Sequence, residues 1–487
     1  DLVRSRGLGD VYKRQGELPD WSLFRLLHNP SGHGGLDLHL PAHGRGRGLA
    51  PALRSLLRRP PGSWDLPELP ALGGPLEPEG AVAEAQAACA SLLGAERCWF
   101  GVNGASGLLQ AALLAMAPPG SRVLLPRNLH RSLLHACVLG QIEPLLFDLP
   151  FDPLTGLWLP PSPLHLERVL AAAAPYRPEA VVLVDPTYQG LAADLPALVD
   201  LIHAHGGPGL PVLVDQAHGD GAALAAGADL VVLSLQKAGG GLAQSAALLA
   251  QGSRIEASNL ERSQLWLQTS SPSALLLAST AAALAHGRSA AGEQQRRRAV
   301  ARATRLRKRL EGLGFPLVAN GDPLRLVLAT GPLGIRGSEA DGWLLERGVV
   351  AELPEPGALT FCLGLAPPAA LERRLAACLL DLRCNLGGPP LPPFVPPPLP
   401  LVAVPQLAVG VAWRSQAEVV PLAQAIGRIA AEPLCPYPPG IPLLIPGERI
   451  DAPRAAWLEG QRALWPRQIA DTVRVVVPVA GPGTSGR

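Results

Sequence analysis

Between residues 81 and 285 the chain alternates short, continuous apolar runs with longer helical ones, and this alternation restricts the fold more than any other feature. The apolar runs at 98–102, 122–125, 144–147, 180–184, 211–214 and 230–234 read as strands. They lack the in–out alternation of a half-exposed strand, so both of their faces must be covered. Helices are expected at 81–93, 108–115, 129–139, 195–205 and 273–285, the first of them stopped by Gly94. Strands buried on both faces, with helices between them, predict an α/β domain built on a mainly parallel sheet.

The length of 487 residues exceeds one ordinary domain, and the hydrophobic content of 48% supplies a large core. Residues 1–15 (DLVRSRGLGDVYKRQ) read as the translation of a sequencing-library adapter and are set apart from the fold. An N-terminal arm is expected at 16–80, a large domain at 81–305 and a smaller α/β domain at 306–386. The segment 387–405 is proline-rich and reads as a stiff linker to a C-terminal domain at 406–487.

The formal net charge is only +2, so neither a nucleic acid nor a membrane surface is an expected partner. The arginine-rich stretch at 291–313 then reads as a solvated connecting helix. No apolar run reaches the roughly 18 residues of a membrane-spanning helix. The cysteines, Cys89, Cys98, Cys137, Cys362, Cys378, Cys384 and Cys435, are odd in number and lie mostly in apolar segments. That usage fits reduced thiols in a cytoplasmic protein. With no C-x-x-C pair and no H-E-x-x-H, no metal site is expected.

The chemistry concentrates in residues 211–244. Asp215 closes one apolar strand, and Lys237 follows the next, directly after Ser234-Leu235-Gln236. Ligands of open parallel sheets bind beyond the carboxyl ends of the strands, where both residues fall. An amine and a carboxylate so placed suit pyridoxal phosphate (PLP): the lysine holds the cofactor as a Schiff base, and the aspartate keeps the pyridine nitrogen protonated. A phosphate cradle is expected at Asn103-Gly104-Ala105-Ser106-Gly107, where small residues open a helix after a strand. Taken singly, an aspartate at a strand end is more often a helix cap, and a lone lysine is more often exposed.

Several separated motifs, in order, resemble the ornithine/lysine/arginine decarboxylases, a PLP-dependent family of fold type I, in a short form without the N-terminal wing domain. His39-Leu40-Pro41-Ala42-His43-Gly44 resembles the family's H-x-P-G-H-K segment, and Asn103 to Ser106 its N-G-S-T turn. Arg127-Asn128-Leu129-His130-Arg131-Ser132 is similar to R-N-x-H-K-S, and Pro186-Thr187-Tyr188-Gln189-Gly190 to P-T-Y-x-G. Asp215-Gln216-Ala217-His218-Gly219 is similar to D-E-A-H-G, Ser234 to Lys237 to S-x-H-K, and Gln268 to Ser273 to Q-T-T-S-P-S. Tyr437-Pro438-Pro439-Gly440-Ile441-Pro442, with Pro446-Gly447-Glu448, resembles the C-terminal signature Y-P-P-G-I-P…P-G-E.

The resemblance implies an aminotransferase-like large domain and α-decarboxylation of a basic amino acid, arginine before lysine or ornithine, to a polyamine-type product. It implies catalytic roles for Lys237, His130 and Asp215. His130 would stack on the PLP ring and Ala217 would pack its other face. His218 would sit at the cofactor, and Ser106, Gly107, Ser234 and Gln236 would bind its phosphate. Thr269 or Ser270 would contact the cofactor of a partner subunit in a homodimer. Glu352, Asp65 and Glu68 are candidates to meet the distal cation of the substrate. The chain departs from the family at Gln236 (usually His), Gln216 (usually acidic), Ala105 (usually Ser), Ala274 (often Tyr) and Asp220-Gly221 (often Ala-His). Other PLP chemistry, such as transamination, and a PLP-binding paralogue without turnover are the alternatives.

Overall fold

The computed structural model describes residues 35–205, 209–436, 440–462, 469 and 471–478. Residues 1–15, and 437–439 of the C-terminal signature, lie outside them. The central element is an eight-stranded sheet. Its strands are β1 (Arg97–Gly101), β2 (Arg122–Pro126), β3 (Glu143–Phe147), β4 (Ala180–Val184), β5 (Val212–Gln216), β6 (Leu230–Ser234) and β7 (Ala246–Ala250), with a short edge strand at Val402–Ala403. The spatial order is Val402–Ala403, β3, β2, β4, β5, β6, β7, β1. Strands β3, β2, β4, β5 and β6 run parallel, while β7 is antiparallel to both β6 and β1.

The absence of in–out alternation has its structural cause here. Val181, Leu183, Val212, Val214, Val231 and Leu233 face one layer, and Val182, Leu213, Leu230 and Val232 face the other. The first layer is closed by α1 (Ala81–Leu93), and the second by α2 (Gly104–Met116) and α3 (Arg131–Gly140). On the first face α4 (Pro163–Ala173) and α5 (Leu195–Ala204) add Leu166, Val169, Leu198 and Ile202. Each fully buried Val or Leu contributes about 1.5–3 kcal/mol, so a sheet buried on both faces is the main source of stability.

A smaller domain follows. Its antiparallel sheet has the order β8 (Arg325–Ala329), β10 (Ala358–Cys362), β9 (Leu353–Glu355). It packs against the long helix at Ala290–Gly312 and the helices at Gly337–Glu346 and Leu371–Leu386 through Leu306, Leu310, Leu344, Leu375 and Leu379. Beside it, Leu36–Asp37 pairs in parallel with Val349–Val350, which fixes the N-terminal segment to this domain.

The proline-rich segment is seated rather than free. Leu391 N–H bonds to Gly331, Phe394 N–H to Pro153 and Asp148 N–H to Leu401, and the segment ends as the edge strand beside β3. A C-terminal unit with its own apolar core (Leu444, Ile450, Leu458, Val475) then returns to the large domain. Among the described residues, no helix is long and apolar enough to cross a membrane.

Candidate active site

The parallel register builds the site. Asp215 pairs with Val184 on one side and Val232 on the other, so β4, β5 and β6 end at one edge of the sheet. The loops beyond that edge carry Thr187 and Tyr188 after β4, Ala217 and His218 after β5, and Lys237 after β6. His130 follows β2 and begins α3, where its ring Nδ1 accepts from the Ser132 N–H at 3.3 Å and meets Ser132 Oγ at 2.8 Å.

A cavity of about 1110 Å³ opens at this edge and is lined by His130, Tyr188, Asp215, Ala217, His218 and Lys237. Its far walls come from Glu355 of the small domain and from Pro433, Cys435, Gly440 and Ile441 of the C-terminal unit. Three parts of the chain therefore border one space.

Inside it, Lys237 Nζ lies 3.1 Å from His218 Nε2. Burial holds the Lys237 amine below the usual lysine range, against the pull of Asp215, which favours its charged form. Asp215 is buried at 5% exposure and accepts the Ala217 N–H at 3.0 Å. Burial raises its carboxyl while the nearby Lys237 opposes that rise. Burial, with Lys237 next, lowers His130 to about 4 and leaves it neutral at ordinary pH. The Tyr188 ring lies 4.3 Å from that of His218, and Lys237 Nζ lies 5.6 Å from the Tyr188 ring centroid. Of the chain's three lysines, Lys13 lies outside the described residues and Lys308 is exposed on the long helix, so Lys237 supplies the amine of this cavity.

The other expected residues are placed as follows. Gly101, Ala246 and Ser234 are paired across β1, β7 and β6, so the first turn of α2, with Ser106 and Gly107, opens at the same sheet edge as Lys237. The Gly104 N–H bonds to Gln244 in the loop after Lys237, and a Cβ at Gly107 would stand 2.9 Å from the Asn103 Cβ. Ser234 is buried, Gln236 is half-buried, and Thr269 is exposed. Glu352 accepts the Leu40 N–H at 2.6 Å and the Tyr188 hydroxyl, so it supports the cavity wall instead of lining it. Asp65 and Glu68 are exposed and line no part of this cavity.

Sequence reasoning missed Arg325 and Glu355. Arg325 is 2% exposed at the start of β8, and its Nη2 meets His218 Nδ1 at 3.2 Å. Glu355 is 1% exposed, and Gln189 Nε2 donates to both of its oxygens at 2.9 Å. Burial pushes its carboxyl up to about 8. Neither stands near a recognisable motif, and both reach the site only because the small domain folds back onto the sheet.

Two of the quoted motifs explain each other. Arg127 is fully buried and grips Glu448 with two guanidinium nitrogens, at 2.7 and 3.1 Å. The arginine beside His130 thus ties the C-terminal unit to the wall of the cavity.

Residues 23–328 match the model of the Orn/Lys/Arg decarboxylase major domain, and residues 398–464 that of its C-terminal domain. The chain belongs to the Orn/Lys/Arg decarboxylase family. Members of that family are PLP-dependent amino-acid decarboxylases. An arginine decarboxylase of Halalkalibacterium halodurans is 32% identical, over 93% of this chain and 96% of its own length. One from Bacillus subtilis is 30% identical, over 85% and 88%. The solved structure of lysine decarboxylase A from Pseudomonas aeruginosa superposes with a TM-score of 0.71 at 18% identity, over 88% of this chain and 80% of its own. That likeness shows the shared fold, PLP fold type I.

Proposed function

We propose that this chain removes the α-carboxylate of a basic amino acid, arginine first and lysine or ornithine next, with PLP as cofactor. The observation that carries this reading is one cavity lined by a half-buried amine (Lys237), a buried carboxyl at a strand end (Asp215) and a second buried carboxyl (Glu355).

The donor set fits PLP. Asp215 is a buried anion facing the cavity, suited to a protonated ring nitrogen, and the nearby Asn128 Oδ1 is buried without a partner. Lys237 would hold the cofactor, His130 and Ala217 would cover its two faces, and Ser106, Gly107, Ser234 and Gln236 would take its phosphate. When bound, PLP supplies an electron sink for the pair released as carbon dioxide leaves.

The chain's own residues do the rest. Tyr188 and His218 pack together in one wall, and Arg127 with Glu448 ties down the C-terminal wall. Glu355 would receive the distal cation of the substrate, since a cation entering beside it favours its charged form. Thr269, exposed in one copy, would complete the site of a second copy in a homodimer.

The similarity to arginine decarboxylases over nearly the whole chain supports arginine as first substrate. Incubating the purified protein with PLP and each of arginine, lysine and ornithine tests the proposal, with agmatine, cadaverine and putrescine as readouts. Agmatine in excess is expected. A keto acid with pyridoxamine phosphate would replace decarboxylation by transamination, and no product from any substrate would reject turnover.

A further inference from the structure

The contacts of His218 fix where its proton sits. An arginine carries five N–H donors and accepts no hydrogen bond. Arg325 Nη2 points at His218 Nδ1 from 3.2 Å, so Nδ1 is the accepting nitrogen. A neutral imidazole accepting at Nδ1 carries its hydrogen on Nε2. That nitrogen faces Lys237 Nζ at 3.1 Å. An Nε2–H aimed at Nζ needs a lone pair there, which an ammonium lacks and a neutral amine has.

We propose that Arg325 is a positioning residue that acts through His218: by occupying Nδ1 it sets the hydrogen on Nε2, and this N–H holds Lys237 as an uncharged amine ready to receive the cofactor. The inference rests on Lys237 being the cofactor lysine and is independent of which amino acid is the substrate.

The surroundings agree. Arg325 is anchored by a second contact from Nη2, to the Lys237 carbonyl at 3.4 Å, so the guanidinium is tied to the loop it organises. Tyr188 packs on the other side of the His218 ring and limits its rotation. Asp215 and Glu352 favour a charged Lys237, whereas burial and Arg325 oppose it. With the opposite tautomer, Nε2 would accept from an ammonium and reinforce those carboxylates. Arg325 excludes that tautomer, because its own donor would then meet an N–H.

The test is trace acetylation of the full chain, freed of PLP by dialysis against a carbonyl trap, across pH 6 to 10. Mass spectrometry reads the Lys237 peptide against Lys308, an exposed lysine of the same chain. Only uncharged amines react, so Lys237 of the wild type should label well at neutral pH. In Arg325→Met the relative labelling of Lys237 at pH 8 should fall roughly tenfold, the change for one pH unit in its titration. Arg325→Lys keeps a cationic donor and should recover much of the signal. In a His218→Phe background, Arg325→Met should have little further effect, since the arginine then has nothing to act through. The proposal is overturned if Arg325→Met leaves labelling unchanged, or if its effect is as large without His218 as with it.

Discussion

Glu355 is the residue whose two expected roles pull in opposite directions. Its carboxyl is raised to about 8 by burial, whereas in the unfolded chain it titrates near the ordinary glutamate value of about 4.3. The folded state therefore binds this proton more tightly. Its contribution to stability is most favourable below the unfolded value, falls as pH rises toward about 8, and is flat above it. Glu355→Gln removes that loss. We expect the variant to melt above the wild type at pH 9 and to show little difference at pH 4. The same variant should raise KM for the basic amino acid about 10- to 100-fold, the value of a lost charge-assisted hydrogen bond. A melting gain as large at pH 4 as at pH 9 would refute the buried-carboxyl account. An unchanged KM would refute the substrate contact.

At the scale of elements, the coupling of the loop between β2 and α3 to the C-terminal unit rests on a buried ion pair. Arg127 and Glu448 are 0% and 2% exposed, and Glu448 also accepts the Ile445 N–H at 2.8 Å and a contact from Arg454 at 3.3 Å. Removing one member of such a pair leaves the other charge buried and costs about 3–5 kcal/mol. Glu448→Gln should therefore destabilise the chain by roughly 3 kcal/mol in urea unfolding. A loss below about 1 kcal/mol would show that Arg127 finds another anion.

The same elements show what was legible in the sequence. Strands β4 and β6 fall where their Val-rich runs predict them, because continuous burial leaves a continuous apolar code. Strand β7 was missed: its sequence, AALLA, has no β-branched residue and is equally suited to a helix. Asp215 and Lys237 were legible because one closes its strand and the other follows the next. Arg325 and Glu355 were not, because they lie 107 residues from His218 and 166 residues from Gln189, distances that only tertiary folding closes.

At the scale of the whole molecule, the end of one helix among the described residues carries an exposed apolar pair that suits a second copy of the chain. Near the end of helix Ala257–Leu267, Leu265 and Trp266 are exposed at 66% and 78%, and Thr269 follows two residues after the helix. Adjacent large apolar side chains in water mark an association surface. A buried tryptophan contributes the area and rigidity that anchor interfaces. Packing this helix end against a second copy would bury Trp266 and bring Thr269 out of solvent, as a site completed across a homodimer needs. Trp266→Glu would place a charge in that contact without touching Lys237 or the sheet. Light scattering should find the wild type at twice the mass of the chain and the variant shifted toward the single chain. PLP retention should fall along with it, although every residue of the cavity is intact. A variant that stays dimeric, or a monomeric one that keeps its cofactor as tightly as the wild type, would separate this helix end from the active site.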